Sequence, residues 1–273
     1  MTALSGARIL LTGGSSGIGR ALALKLADRG ARLAVAARRE PQLTELAAEI
    51  AGNRHPAPYV LPVDLSVRGA AADLADKATR VLGGVDILIN NAGVGLVDSQ
   101  ARLGDSAAAR ASFETNFWSP LALTTALLPG MRAAGTGTIV NVTSTIQAVP
   151  LPFLGYYAAA KIALAQATRS LRNELRHTPI RVLEVVPGAT DTGLRDINKL
   201  PWHGGRPPRT LPPVPPEAVA AATVRALERD HDRVIHPAYA TLPIELPIVG
   251  RLVAAVGARR VDTTYHPAEE IAQ

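Results

Sequence analysis

Arg8-Ile9-Leu10-Leu11-Thr12-Gly13-Gly14-Ser15-Ser16-Gly17-Ile18-Gly19 is the stretch on which the reading of this chain turns. The run over 8–12 is short and aliphatic, as a buried strand requires, and the glycines after it open a helix predicted over 18–29. Glycine at 13, 17 and 19 permits positive φ and leaves no Cβ between the backbone and a ligand. The first turn of a helix offers N–H groups without intrahelical partners and the positive end of the helix dipole. Together, in this order, they make a pyrophosphate site built from Gly13, Ser15, Ser16, Gly17, Ile18 and Gly19. An ordinary glycine-rich turn is the competing reading. The position at the first strand-to-helix junction speaks against it, because a doubly wound sheet binds its dinucleotide there.

Outward from this turn, short apolar runs alternate with longer amphipathic stretches. Runs at 32–37, 58–64, 85–90, 137–143 and 180–186 read as strands, and 233–237 as a last one. Helices are expected over 42–51, up to residue 82, through a long region to 134, and over 156–176 and 217–229. Strands alternating with helices imply βαβ units with right-handed crossovers. The expected fold class is therefore α/β, a single Rossmann-type doubly wound parallel sheet flanked by helices, over one domain spanning 1–273. Residues 201–216 are rich in proline, which fixes φ and removes a donor, so they read as an extended insertion on the substrate side. Beyond 237 lies a C-terminal extension whose apolar tail, 242–261, is broken by Pro243 and Pro247. Those breaks argue against a strong interfacial anchor and favour packing as a lid or against a subunit.

Composition sets the bounds. With 273 residues, 47% hydrophobic and 19% charged, the chain has the material for a sizeable core and is no disordered polymer. No uninterrupted apolar run reaches 18 residues, so no stable membrane insertion is expected. The N-terminal residues lack the pattern of a secretory signal, which makes the cytoplasm the expected location. The absence of cysteine excludes disulfides, thiolate metal sites and cysteine nucleophiles, and no metal site is expected. The net charge of +6 comes from scattered arginines with only 4% aromatic residues. That pattern fits a solvated surface with local phosphate binding, and no nucleic-acid partner is expected.

The second strand ends in Ala36-Ala37-Arg38-Arg39. An NAD site usually places a carboxylate here to accept from the ribose 2′-OH. Two guanidinium groups instead suit a phosphate, through charge-assisted and often bidentate bonds. The expected cofactor is NADP(H), its 2′-phosphate held chiefly by Arg38 with Arg39 beside it. Glu40, one position later, keeps NAD(H) open as the less favoured choice.

Tyr157 and Lys161 are four apart on a predicted helix, so they project from one face about 6 Å apart along its axis. A phenol titrates near 10 when unperturbed. A neighbouring ammonium favours the phenolate, and a phenol tuned towards neutrality serves as a general acid–base. The spacing alone is weak, but its companions strengthen it. Ser144 ends the fifth strand, 13 residues before Tyr157, and Asn90-Asn91-Ala92-Gly93 ends the fourth. Asn116 follows in the next helical region, and Pro187-Gly188-Ala189-Thr190-Asp191-Thr192 follows the sixth strand.

With these motifs in this order over about 5–236, the chain resembles the classical short-chain dehydrogenase/reductase family. The resemblance implies an oxidoreductase interconverting a carbonyl and a secondary alcohol. Tyr157 would be its general acid–base, Lys161 the residue that lowers the phenol's pKa and binds the nicotinamide ribose, and Ser144 the donor to the substrate oxygen. Asn116 would hold a water linking Lys161 to solvent. Asp64 and Leu65 would lie at the adenine, and Asn91, Ala92 and Gly93 along its ribose. Pro187, Gly188, Thr190 and Thr192 would meet the nicotinamide end. Tyr156 has no lysine four residues on and is not the expected base. The family usually forms homodimers or homotetramers through the helices after the fourth and fifth strands.

The segment 146–154 is apolar and uncharged and lies near the expected pocket mouth, which favours a lipophilic small molecule as the substrate. Leu194, Ile197, Leu200 and Trp202 sit where the family has a mobile lid, and His203 reads as a surface or packing residue, with a place facing the pocket as the alternative. A cofactor-binding regulator or scaffold on the same fold is the alternative function. The intact Ser144, Tyr157 and Lys161 speak against it. A polyanion-binding protein is the third reading.

Overall fold

The computed structural model describes residues 3–192, 196–207 and 213–264. Seven strands form one sheet: β1 (Arg8–Thr12), β2 (Arg32–Ala37), β3 (Tyr59–Pro62), β4 (Ile87–Asn90), β5 (Gly137–Val142), β6 (Ile180–Pro187) and β7 (Arg233–His236). Their order is β3-β2-β1-β4-β5-β6-β7, and every neighbouring pair is parallel. The chain therefore reverses its direction of travel across the sheet between β1 and β4. That is the switch point where such sheets leave a crevice at the carboxyl ends of the strands.

The pleat sorts the strand residues between two cores. Ile9, Leu11, Val35, Ile89 and Val140 face one side, where they meet Leu22 and Leu26 of α1 (Gly17–Ala27), Leu43 and Leu46 of α2 (Glu40–Gly52), and Leu227 of α8 (Pro216–Glu228). Leu10, Leu88, Ile139 and Val182 face the other. There they meet Leu74 of α3 (Ala70–Leu82), Leu123 and Met131 of α6 (Ser119–Ala134) and Leu175 of α7 (Gly155–Leu175). Burial on both faces explains why these strands are continuous apolar runs.

The long helical region expected up to 134 needs correction. Residues 91–99 are not helical. Helix resumes as α4 (Gln100–Leu103) and α5 (Ala107–Phe113), followed by a π-helical turn, Glu114–Trp118, that leads into α6. The cause is hydrogen bonding across the fold. The N–H groups of Asn91 and Ala92 donate to the Thr12 hydroxyl, and that of Val94 donates to Asn116 Oδ1. With those donors spent sideways, no helical ladder forms there.

Beyond β7 the extension folds as α9 (Thr241–Glu245) and α10 (Pro247–Ala258), bent 107° apart at Pro247; Pro243, also expected to break the tail, lies inside the first turn of α9, where proline is tolerated. No single helix among the described residues is long and apolar enough to cross a membrane. The tail lies on the loop after β5: a Cβ on Gly250 would stand 2.8 Å from the Ala148 carbonyl oxygen. Val261 bridges Trp202, and both are buried in a small cluster with Leu154 and Leu200, packed against Ile146, Leu151 and Phe153.

Candidate active site

The turn after β1 is tied to the loop after β4. The Thr12 hydroxyl donates to the Ile89 carbonyl (3.2 Å) and accepts from the N–H groups of Asn91 (3.1 Å) and Ala92 (3.0 Å). Asn91 Nδ2 donates to the carbonyls of Thr12 (2.9 Å) and Gly13 (3.3 Å). The cradle has no room for side chains. Gly13 has φ +72, and a Cβ there would lie 2.7 Å from Asn91 Nδ2; one on Gly19 would lie 2.1 Å from the Gly13 oxygen. Gly17 begins α1, and the side chain of the N-cap residue Ser16 makes no capping bond, so the first-turn N–H groups stay available. A cradle without Cβ atoms at a helix start fits a dinucleotide pyrophosphate.

Both arginines after β2 are exposed. Arg39 Nη2 reaches back over the cradle to Ser15 Oγ (3.1 Å) and Ser16 Oγ (2.7 Å). Arg38 faces Asp64. The Ser66 N–H (2.9 Å), then the Ser66 hydroxyl and the Arg38 charge, hold the Asp64 carboxyl below its usual range. Leu65 is buried, and its carbonyl accepts from Ser119 Oγ (2.8 Å), which fixes the end of this segment.

The helix α7 brings the remaining side chains to the ends of β5 and β6. Its seat on the sheet is set by a buried chain of amides: Asn90 Nδ2 donates to Asn141 Oδ1 (2.8 Å), and Asn141 Nδ2 donates to Thr168 Oγ1 (2.9 Å). Lys161 is only 3% exposed. Its Nζ donates to the Val142 carbonyl (3.0 Å) and lies 6.0 Å from the centre of the Tyr157 ring. Burial lowers the Lys161 pKa to about 8. Val142 ends β5, so the amine sits at the backbone just before Ser144. Ser144 caps the 3-10 turn Thr145–Gln147, accepting at Oγ from the Ile146 N–H (3.2 Å), which leaves its own hydroxyl hydrogen for another acceptor. Tyr156 is spent elsewhere, its hydroxyl bonded to the Gly104 carbonyl.

Asn116 is fully buried in the π-helical turn, a distortion common at functional sites. Its Nδ2 donates to the carbonyls of Val94 (2.7 Å) and Ser112 (2.9 Å), so the side chain shapes the loop after Gly93. On the far side, the Gly188 N–H donates to the His236 carbonyl (2.7 Å), and Thr190 Oγ1 donates to the Gly188 carbonyl (3.0 Å). The Thr192 methyl packs so close to Gly17 that a Cβ there would stand 2.7 Å away. The loop after β6 thus reaches the cradle beside β1. Of the expected lid, Leu200 and Trp202 are buried, while Leu194 and the side chain of Ile197 lie outside the described residues. His203 is exposed, as expected.

One residue escaped sequence reasoning. Glu184, fully buried in β6, accepts at Oε1 from Thr143 Oγ1 (3.1 Å) and Gln147 Nε2 (3.3 Å), which flank Ser144 on both sides. Arg233 Nε lies 3.1 Å from its Oε2 as a charge contact rather than an aligned hydrogen bond, and Arg233 Nη1 pairs with Glu245 of α9 (2.6 Å). A carboxylate inside the apolar run Ile180–Pro187 was the available signal.

Comparison with known proteins agrees with this fold. The family model described as short chain dehydrogenase matches residues 7–199. Dehydrogenase/reductase SDR family member 7B of Bos taurus is 36% identical over 207 residues, 72% of this chain and 62% of that protein; the chain thus spans less than two thirds of that relative's length. The NADP-dependent 3-hydroxy acid dehydrogenase of Schizosaccharomyces pombe is 31% identical over 86% of this chain and 92% of its own. Among solved structures, a metagenomic short-chain oxidoreductase in complex with NADP is 28% identical, with a TM-score of 0.72 over 86% of this chain and 98% of that one. A short chain dehydrogenase/reductase from Burkholderia phymatum in complex with NAD shares the fold at 23% identity and a TM-score of 0.79, over 97% of this chain and 100% of that one. By its motifs, its sheet and these relatives, the chain belongs to the short-chain dehydrogenase/reductase family of oxidoreductases.

Proposed function

We propose that this chain is an NADP(H)-dependent oxidoreductase that interconverts an apolar carbonyl compound and the matching secondary alcohol. The observation that carries the reading is the buried Lys161 amine, held beside the Tyr157 ring by the carbonyl of Val142, two residues before Ser144. Gly13, Ser15, Ser16, Gly17, Ile18 and Gly19 would hold the pyrophosphate. Asp64, Leu65, Asn91, Ala92 and Gly93 would line the adenosine side, and Arg38 with Arg39 the 2′-phosphate. Pro187, Gly188, Thr190 and Thr192 would meet the nicotinamide, with Tyr157 and Lys161 at its ribose. When bound, the nicotinamide supplies or accepts the hydride.

The chain's own residues handle the proton. In reduction, the Tyr157 hydroxyl gives its proton to the carbonyl oxygen; in oxidation, the phenolate takes it back. The free hydroxyl hydrogen of Ser144 donates to the same oxygen and stabilises charge as it develops there. The Lys161 ammonium has three donors and spends one on Val142, so it favours the phenolate with charge and hydrogen bonds to spare. Asn116 would hold a water between Lys161 and solvent.

Two apolar surfaces bear on the substrate and on assembly. Ile146, Leu151, Phe153, Leu154, Leu200 and Trp202 form the apolar cluster on the substrate side, which supports a lipophilic substrate. Trp118 and Ile162, 53% and 43% exposed at the start of α6 and on α7, support a homodimer or homotetramer through those helices. Relatives occur with either dinucleotide, so the choice of NADP(H) rests on Arg38 and Arg39.

The test is nucleotide oxidation with a carbonyl panel running from apolar ketones to charged keto acids, with NADPH and NADH compared. The proposal expects NADPH and apolar substrates to be preferred. It also expects Arg38→Ala to weaken NADPH by about 10- to 100-fold, the worth of a hydrogen bond to a charged group, with NADH unaffected. Preference for NADH in the wild type overturns the cofactor assignment, and activity confined to charged substrates overturns the substrate class.

A further inference from the structure

Ten large hydrophobic side chains are exposed among the described residues. Six of them fall within one short stretch: Tyr239, Leu242, Leu246, Ile248, Leu252 and Val256. On α10, Ile248, Leu252 and Val256 recur every fourth residue at 62%, 62% and 54% exposure, so they form one stripe along the outer face. The inner face is already committed. Gly250 sits against the Ala148 carbonyl, Gly257 against Leu151, and Val261 just beyond the helix pairs with Trp202. The helix is therefore held on the protein with its apolar stripe bare. Pro247 does break the tail from α9, but it occupies the first turn of α10, where proline is tolerated, and 12 residues of helix follow the break.

The charges around the stripe are all of one sign. Arg251, Arg259 and Arg260 are exposed, and none makes an ion pair among the described residues. No carboxylate occurs between Glu245 and Asp262. An apolar stripe with cations on its flanks is the make-up of a helix that lies in a membrane interface. At about 18 Å, α10 is far shorter than the ~30 Å hydrocarbon core, so it can lie on a bilayer but not span it.

We infer that the outer face of α10 docks the protein on an anionic bilayer surface. Ile248, Leu252 and Val256 enter the boundary between headgroups and acyl chains, and the three arginines meet lipid phosphates. A second copy of the chain is the poorer occupant. A two-fold contact would press a face carrying three cations and no anion against itself. The inference does not depend on the reaction proposed above.

The test is co-sedimentation of the full chain with vesicles of phosphatidylcholine alone, and of phosphatidylcholine doped with phosphatidylserine. The wild type is expected to pellet with the doped vesicles, and raised salt to release it. Each basic residue near an anionic surface contributes about five-fold to partitioning. The triple change Arg251→Gln, Arg259→Gln, Arg260→Gln should therefore lower binding by about 100-fold. Leu252→Glu should abolish it, with thermal unfolding and gel-filtration elution unchanged. Wild type that stays in the supernatant with both vesicle types overturns the inference, as does Leu252→Glu that pellets like the wild type. A wild-type assembly split by Leu252→Glu assigns the face to a second copy and overturns it as well. Failure of the carbonyl assay leaves these readings intact, so the two proposals fail separately.

Discussion

Lys161→Met separates the cost of burying the amine from its use. Burial takes this lysine from its ordinary value of 10.5 to about 8. At pH 7 the folded protein therefore carries a charged group at a cost of about 3 kcal/mol. Methionine fills nearly the same space without charge. It gives up the hydrogen bond to the Val142 carbonyl, and leaving that buried acceptor unpaired costs about 1–3 kcal/mol. The variant should accordingly equal or exceed the wild type in stability at pH 7, by up to about 2 kcal/mol, while losing the ammonium beside Tyr157 and with it most activity. The pH dependence gives the sharper test. The folded-state pKa is below the unfolded one, so the unfolded chain binds more protons between pH 8 and 10.5, and the wild type gains stability as pH rises through that window. The variant lacks this term. The difference in stability, variant minus wild type, should fall by about 2 kcal/mol between pH 7 and 9.5. Urea unfolding followed by circular dichroism, without nucleotide, measures it. A difference that stays constant across that range refutes the argument that burial lowers the pKa of the Lys161 amine.

Gly19→Ala would set a Cβ 2.1 Å from the backbone oxygen of Gly13, a contact that no side-chain rotation relieves. NADPH affinity, read by fluorescence titration, should be lost, with stability down by about 1–3 kcal/mol; unaltered affinity would contradict the cradle. Glu184→Ala removes the acceptor shared by Thr143 and Gln147 and one of the two carboxylates facing Arg233, which keeps Glu245, so unfolding free energy should drop by about 1–3 kcal/mol. Glu184→Gln keeps an acceptor for the Ser144 turn and should retain more turnover than the alanine variant at a temperature where both are folded. Equal turnover for the two would mean that the carboxylate supports the fold without positioning the turn.

The five inner strands were legible because each is a largely apolar run buried on both faces, whereas the edge strands β3 and β7 are only partly buried. The glycine turn was legible because its steric demands admit no other residue type. Tyr157, Lys161 and Ser144 stood out by spacing, and the structure adds what spacing cannot: the buried bond from Lys161 to Val142 and the diversion of Tyr156 to Gly104. The segment 91–99 misled because its departure from helix is imposed by partners distant in the chain, Thr12 and Asn116, and no local pattern records them. Glu184 was passed over for the same reason. Its partners lie on β7 and in the turn after β5, and its burial is understood only once Arg233 is seen opposite it. Of the two prolines expected to break the tail, Pro247 separates α9 from α10, and Pro243 is accommodated inside α9. Which face of α10 would stay bare depended on its seat against Ala148 and Leu151.

The most direct test of the account is the rate of carbonyl reduction by Tyr157→Phe beside the wild type, at saturating NADPH and with the best substrate of the panel. Removing one hydroxyl should lower the rate by about 10²- to 10⁴-fold, the usual worth of a positioned acid–base group, while NADPH still binds. A phenylalanine variant that turns over as fast as the wild type would show that the proton travels by another route.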